Sequence, residues 1–285
     1  MSSLTLQAYA KLNLFLRVLA REDDGYHGIE TLFALIDLAD TLVIEQRPGH
    51  GVTLTAEGAE CGPPEQNLAA RAAQLVLEAT GHPFAVHIGI TKRIPVQAGL
   101  GGGSADAAAA LVGVNQLAGN AIPRHELLQF ASRLGSDIPF LLSGASLALG
   151  WGHGERLLRL TPLPAAPGLL LIPPIGVRTV EAYRQVDGAR QGIGRRGAVA
   201  MDLDALGSWG SIARMAGNDF EFALFGRHPE LKKGFEALAS THPLLCRMTG
   251  SGSALLAIYR GTRERDDARM QLNPRLGRVI EFQTR

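Results

Sequence analysis

The sequence predicts an α+β fold in two domains. Strand-like and helix-like stretches are mixed along the chain, without the strict strand–helix–strand alternation of a parallel sheet. The 285 residues exceed a typical ~150-residue domain by nearly twofold. The Pro-rich run Thr161-Pro-Leu-Pro-Ala-Ala-Pro167 is the best linker candidate, and it divides the chain into residues 1–160 and 161–285.

The first two strands are expected at 4–18 and 29–45, where Leu, Val, Ile and Phe partly alternate with other residues. A polar, Gly-bearing turn at 21–28 joins them. Residues 67–80 read as a helix with Asn67 as N-cap and Gly81 just past its end. A strand follows at 84–94, where Val86, Ile88 and Ile90 alternate. The glycine-rich loop at 98–103 leads into an Ala-rich helix at 105–118. Pro123 opens a further helix that stops at Gly135. Residues 144–151 and 156–160 form a hairpin turned by Gly152-His-Gly154. Beyond the linker come a strand at 168–173, helices near 179–186, 211–225 and 229–240, and a strand at 254–259. The basic, Gly-rich segment 188–197 reads as an exposed loop.

Composition excludes several classes of function. Hydrophobic residues make up 46% and charged residues 19%, a globular balance far from that of a disordered chain. A net charge of +1 offers no basic field for nucleic acid or an anionic membrane surface. No apolar run reaches the ~18 residues of a membrane span. The N-terminus carries no signal-peptide pattern, and Cys61 and Cys246 stand apart, so a reducing, cytoplasmic location is expected. Only four of the 28 basic residues are lysines: Lys11, Lys92, Lys232 and Lys233. Where any cation would do, this chain uses Arg, so a lysine in an apolar strand draws suspicion.

The strongest local signal is Pro95-Val-Gln-Ala-Gly-Leu-Gly-Gly-Gly-Ser-Ala-Asp106, between a strand and a helix. Ala98, Gly99, Leu100, Gly101, Gly102 and Gly103 let backbone N–H groups approach a ligand closely, and Ser104 is placed as helix N-cap. A helix start presents unpaired N–H groups and the positive dipole end, a combination that suits a phosphate. Here G-K-[ST] does not follow the glycines, so the loop is not a Walker A motif. Read from Gly99, the sixth position of a dinucleotide fingerprint is Ser104, not glycine. No G-x-S-x-G or H-E-x-x-H occurs.

Three further segments carry candidate chemistry. In Ala10-Lys-Leu-Asn-Leu-Phe-Leu16 the leucines share one face of a strand, and Lys11 and Asn13 share the other. That face is either the exposed side of an edge strand or a cation and an amide aimed into a cleft, where the lysine would stabilise phosphoryl charge. Asp137, in Leu134-Gly-Ser-Asp-Ile-Pro-Phe140, either caps the next helical turn or acts as a general base. Met248-Thr-Gly-Ser-Gly-Ser-Ala254 is a second glycine loop, either a tight turn before a strand or a second backbone-lined contact with an anionic substrate.

Together these segments resemble the GHMP kinase superfamily. The loop at 95–109 resembles its ATP phosphate loop, and the one at 248–254 its C-terminal motif. Ala10-Lys-Leu-Asn-Leu-Phe-Leu16 and Asp24-Gly-Tyr-His-Gly-Ile-Glu-Thr-Leu-Phe33 are similar to the start of the 4-diphosphocytidyl-2-C-methyl-D-erythritol kinases within it. Leu134-Gly-Ser-Asp-Ile-Pro-Phe140, Gly152-His-Gly-Glu155, Val177-Arg-Thr179, Ala182-Tyr183 and Asn218-Asp-Phe-Glu221 match in the same order, so the resemblance runs from residue 8 to about 260.

The resemblance implies a two-domain GHMP kinase fold with the active site in the cleft between an N-terminal ATP-binding and a C-terminal substrate-binding domain. It implies ATP-dependent phosphorylation of a tertiary 2-hydroxyl in the mevalonate-independent isoprenoid pathway. Asp137 would be the base, Lys11 its charge partner, and Pro95 and residues 98–104 the ATP loop. Tyr26 and Tyr183 would face the cytosine and His27 would hydrogen-bond it, with Asn13 and Thr179 in the substrate pocket and Gly250, Ser251 and Gly252 in the second loop. ATP normally arrives with Mg²⁺, for which Ser104 is the candidate protein oxygen. Both substrates are small molecules, with no nucleic acid or membrane partner, and a monomer or weak homodimer is expected. Ala105, where many members carry a second serine, Arg178 and Trp151 depart from the pattern. The competing readings are another kinase of the superfamily, acting on mevalonate-like, homoserine-like or sugar acceptors, and a non-catalytic nucleotide-binding regulator. The Gly-Tyr-His turn and the two tyrosines argue against the first. The presence of both Lys11 and Asp137 argues against the second.

Overall fold

Ten strands form two sheets in the computed structural model, which describes residues 2–23, 25–59, 62–190 and 201–285. Asp24, Cys61 and residues 191–197 of the expected loop lie outside the described residues. The α+β class holds: the larger sheet is mostly antiparallel, with helices packed on it.

The larger sheet is built on one long hairpin, β1 (Ser3–Arg21) and β2 (His27–Arg47). β3 (Val52–Glu57), β4 (Ala85–Thr91), β5 (Leu147–Gly152) and β6 (Arg156–Arg159) complete it in the order β3-β4-β2-β5-β6, with β1 paired along the other edge of β2. Register shifts at Tyr9/Lys11 and Asn13/Phe15 interrupt the β1–β2 ladder. Such bulges re-aim side chains. They bracket Lys11 and Asn13, and residues 10–16 are buried on both faces of the strand. Of the two alternatives for this polar face, the exposed one is not observed: Lys11 and Asn13 are buried, although β1 is an edge strand.

Helix α1 (Leu68–Ala79) is capped as expected, because the Asn67 carboxamide oxygen accepts Ala69 N–H at 2.9 Å and Ala70 N–H at 3.4 Å. Helix α2 (Gly102–Leu117) packs against α1 and across β1 and β2. It begins earlier than expected, since its N-cap is Gly101 in the left-handed conformation, and Ser104 lies inside the first turn rather than capping it. Helix α3 (Arg124–Leu134) ends at Gly135 as expected, and the short helix α4 (Ile138–Ser143) follows.

The smaller sheet has the order β10-β7-β9-β8, from β7 (Pro167–Ile172), β8 (Leu245–Met248), β9 (Leu255–Ile258) and β10 (Arg278–Gln283). Helix α5 (Thr179–Arg190) runs past its expected end into the segment read as a loop. The helix expected at 211–225 is two, α6 (Trp209–Met215) and α7 (Asp219–Phe225). The break falls at Ala216-Gly217-Asn218, where Asn218 caps α7 through Phe220 N–H. Helices α8 (Pro229–Ala239) and α9 (Thr262–Gln271) complete the described elements. One apolar core joins the halves: Leu170, Leu256, Ile258 and Phe282 of the smaller sheet pack in the cluster that holds Leu12, Leu32 and Ile44 of the larger. No helix among the described residues is long and apolar enough to cross a membrane.

Gly168 shows how closely the smaller sheet is packed. A Cβ there would lie 2.2 Å from the Phe282 ring and 2.7 Å from the Ala257 carbonyl oxygen. The aromatic ring is wedged on one side and a backbone carbonyl on the other, so Gly168→Ala should destabilise the fold by about 1–3 kcal/mol. Urea unfolding checks this, and an unchanged midpoint would mean that β7 has slack.

Candidate active site

One cleft of about 1190 Å³ gathers nearly every residue singled out from the sequence. Lys11, Asn13, Tyr26, His27, Pro95, residues 98–104, Asp137, Thr179, Tyr183, Gly250 and Ser251 all line it, and Gly252 does not. The floor is the outer edge of β1, whose N–H groups point away from β2. Lys11 N–H donates to Leu100 C=O at 3.0 Å, and Asn13 N–H to Thr249 Oγ1 at 3.0 Å. Farther along, Leu16 N–H donates to Gly217 C=O at 2.8 Å, and Val18 N–H to Asp219 Oδ2 at 2.8 Å. Four donors of one strand thus hold the first glycine loop, the second glycine loop and the start of α7.

The two glycine loops touch backbone to backbone. A Cβ on Gly99, at φ +77°, would lie 2.3 Å from Thr249 C=O, so only glycine permits this approach. Ala254 N–H donates to Ala98 C=O at 3.1 Å, and Thr249 Oγ1 to Gly99 C=O at 3.4 Å. Asn218 supports the second loop from below, its amide donating to Met248 C=O at 2.7 Å and Gly250 C=O at 2.8 Å. Thr179 Oγ1 lies 3.0 Å from Ser251 Oγ and ties α5 to the same loop. The first loop ends in the N-terminus of α2, whose leading N–H groups and positive dipole end face the cleft.

Lys11 and Asp137 meet, although 126 positions part them in the chain. The Lys11 ammonium is 3.2 Å from Asp137 Oδ2 and donates to Asn13 Oδ1 at 2.7 Å. Its stem packs over Gly101, where a Cβ would come within 3.0 Å of Lys11 Cγ. Asp137 occupies the N-cap position of α4 but makes no side-chain cap hydrogen bond, so the capping role is not observed. Its carboxylate is directed to Lys11 and is 30% exposed, accessible to a ligand in the cleft.

Aromatic residues line the same cleft. His27 stacks on Tyr183 with ring centroids 5.1 Å apart, and its Nε2 lies 2.7 Å from Asp187 Oδ1. Tyr183 is set edge-on against Phe220. Burial, then the nearby Asp137 charge, push the Tyr183 phenol up to about 12, so it stays protonated. Tyr26 is 67% exposed and lies against His153.

Sequence reasoning missed a buried ionic cluster under the first loop. The Lys92 ammonium bonds to Asp106 Oδ2 at 2.7 Å and also to Asp40 Oδ2. Asp40 Oδ1 accepts Arg93 and Ile94 N–H and anchors the strand that leads into the loop. Burial would lower the Lys92 pKa, but its two carboxylates outweigh this and the net direction is up. Burial first, and then the neighbouring Asp40, push the Asp106 carboxyl up to about 7 against the opposing pull of Lys92. The scarcity of lysines was the available signal for Lys92, whereas the pairing of residues 40, 92 and 106 left no trace in spacing.

Comparison with known proteins places this geometry. The model of the GHMP kinases N terminal domain matches residues 67–145, and that of the GHMP kinases C terminal domain matches residues 202–278. A 4-diphosphocytidyl-2-C-methyl-D-erythritol kinase of Solibacter usitatus (strain Ellin6076) is 38% identical over 265 residues, covering 90% of this chain and 81% of that protein. One from Pelotomaculum thermopropionicum is 37% identical over 289 residues, covering 96% and 99%. A crystal structure of 4-(cytidine 5'-diphospho)-2C-methyl-D-erythritol kinase superposes with a TM-score of 0.81 at 36% identity, covering 99% of each chain.

A buried carboxyl supports the start of the second loop. Glu221 Oε1 accepts Met248 N–H at 2.8 Å. Burial pushes its carboxyl up to about 7, against the opposing pull of that hydrogen bond and of Arg247. The folded-state value lies above the unfolded one, so the folded protein holds the extra proton between them. The contribution of Glu221 to stability is full below about pH 4.5 and is lost as pH rises to about 7. Unfolding free energies of the wild type and Glu221→Gln, measured from pH 4 to 8, should shift against the wild type across that window and run parallel above it. A gap that does not change with pH would contradict this.

Proposed function

We infer the chemistry of this cleft from one premise: the chain belongs to the 4-diphosphocytidyl-2-C-methyl-D-erythritol kinase family of GHMP kinases, and it is an ATP-dependent small-molecule kinase. Its acceptor on this reading is the tertiary 2-hydroxyl of 4-diphosphocytidyl-2-C-methyl-D-erythritol, in isoprenoid biosynthesis. The observation that carries the mechanism is the 3.2 Å contact between Lys11 and Asp137 in the same cleft as the first glycine loop.

Phosphoryl transfer asks a protein for positioning and charge stabilisation more than for covalent chemistry. The N–H groups of residues 98–104 and the α2 terminus hold the ATP phosphates. The substrate hydroxyl is placed against Asp137, which accepts its proton as the new bond from oxygen to the γ-phosphorus forms. The bond from that phosphorus to the β,γ-bridging oxygen breaks, and ADP leaves with the electron pair. The Lys11 ammonium faces both the carboxylate and the transferring group, and it stabilises negative charge at the moment it develops. Tyr26, His27, Tyr183 and Thr179 hold the cytidine end, while Asn13 lines the acceptor side. The 160/161 division is part of the same reading, with the ATP loop in the first half and α5 and the second glycine loop from the second half closing over the substrate.

Mg²⁺ fits the donors present. Among the described residues no three His, Cys, Asp or Glu side chains converge into a cage. The Ser104 hydroxyl, a hard oxygen on the cleft wall beside the loop, suits an ion carried in on phosphate. Ser104 would supply its protein oxygen, and the ion would neutralise charge on the β- and γ-phosphate oxygens.

The test is ADP release with 4-diphosphocytidyl-2-C-methyl-D-erythritol, mevalonate and homoserine offered side by side to the wild type and to Asp137→Asn. The wild type should turn over only the cytidine substrate. The variant should fold and lose roughly 10²–10⁴-fold in kcat. Turnover of another acceptor at a comparable rate would overturn the substrate, and an Asp137→Asn rate within a few-fold of wild type would overturn the base.

A further inference from the structure

We propose that Thr31 is a positioning residue for phosphoryl transfer, its hydroxyl fixing the Asn13 amide and, through it, the Lys11 ammonium. The proposal rests on the reading of Lys11 and Asp137 given above.

The hydrogen bonds form a chain with one permitted direction. Lys11 Nζ donates to Asn13 Oδ1 at 2.7 Å, Asn13 Nδ2 donates to Thr31 Oγ1 at 2.7 Å, and Thr31 Oγ1 donates to Phe15 C=O at 2.7 Å. A lysine ammonium only donates and a backbone carbonyl only accepts. The two ends therefore set every link between them. The Phe15 carbonyl takes the Thr31 proton, so the Thr31 oxygen must accept from Asn13, and Asn13 must turn its NH₂ to Thr31 and its oxygen to Lys11. A flipped amide would set two donors against each other at Lys11 and two acceptors against each other at Thr31.

Burial makes this polarity matter. Thr31, Asn13 and Lys11 are 0%, 2% and 3% exposed, so water cannot replace a missing partner inside the chain. The Asn13 backbone is held separately, by Thr249 Oγ1, which leaves the side-chain rotation of Asn13 as the freedom that Thr31 removes. Thr31 lies on β2 opposite Leu16 of β1 and Gly150 of β5. Its hydroxyl is the fixed point from which the ammonium is aimed at Asp137 Oδ2.

Shape and hydrogen bonding can be separated at this position. Thr31→Val keeps the branched shape and deletes the hydroxyl, whereas Thr31→Ser keeps the hydroxyl and deletes the methyl. Misplacing a reacting group by about 1 Å costs up to ~10²-fold, so Thr31→Val should lower kcat roughly tenfold to a hundredfold. The KM for ATP should stay within about threefold, and the fall in kcat should exceed any rise in the KM of the acceptor, whose pocket Asn13 lines. Thr31→Ser should stay within about threefold of wild type in kcat. The reverse order, Val active and Ser impaired, would show that the residue acts through methyl packing and would overturn the proposal. Should Thr31→Val fail to fold, Thr31→Ala takes its place, since Ser and Ala lack the methyl alike. An Ala rate well below the Ser rate supports the role of the hydroxyl, and equal rates overturn it. Lys11→Met, measured alongside, separates the two levels. If it retains wild-type kcat, the reading of Lys11 itself fails. If it is inactive while Thr31→Val is fully active, only the role of Thr31 fails.

Discussion

The edge strand β1 leaves the N–H groups of Lys11, Asn13, Leu16 and Val18 facing away from β2, and a buried N–H must find an acceptor. They find acceptors on three segments: Leu100 C=O on the first glycine loop, Thr249 Oγ1 on the second, and Gly217 C=O and Asp219 Oδ2 at the start of α7. An ordinary edge strand would recruit another strand and present a continuous ladder. Here the register shifts around Lys11 and Asn13 break that ladder, and loops take the places of a neighbouring strand. The two glycine loops and the start of α7 are thereby brought into line beside the cation, and the cleft is the space above that line.

Charge is arranged on the same scaffold. Lys11 is buried to 3% exposure yet meets an amide oxygen and a carboxylate, and Lys92 meets two carboxylates on the wall of the same cleft. Burying ammonium groups costs solvation, and partners of opposite charge offset it. On the proposed reading Lys11 would need little reorganisation when phosphoryl charge develops, which is the condition under which electrostatic stabilisation is most effective. The Lys92 cluster acts on architecture: Asp40 fixes the approach to the first glycine loop, and Asp106 fixes the first turns of α2. Together they set where the loop ends and the helix N-terminus begins.

Local chemistry was legible in the sequence, and long-range pairing was not. Asn67 announced α1, Pro123 and Gly135 bracketed α3, and the Gly152 turn closed the β5–β6 hairpin, because each depends on a few adjacent residues. The first glycine loop was legible for the same reason. Its boundary with α2 was misjudged because Gly101, in a left-handed conformation, does the work assigned to Ser104. The polar face of β1 was placed inside or outside only by its neighbours: Lys11 and Asn13 look alike from the sequence in either case. Strands β8 and β10 escaped because β8 has four residues and β10 carries Arg278, Glu281 and Gln283 among its apolar positions. The partners of Lys92 and the role of Thr31 depend on register between distant segments, which no local spacing encodes. The family motifs pointed to residues that line the cleft but left their supports unassigned.

The account stands on Lys11 and Asp137 acting as one unit, and a double-mutant cycle on kcat tests that most directly. Lys11→Met, Asp137→Asn and the double variant are measured under saturating substrates, with folding confirmed by circular dichroism. Residues that act together lose their combined effect when either is removed, so the double variant should be no more than about threefold slower than the slower single variant. Losses that multiply, so that the double variant falls by the product of the two single effects, would show that the lysine and the carboxylate act independently and would contradict the central claim.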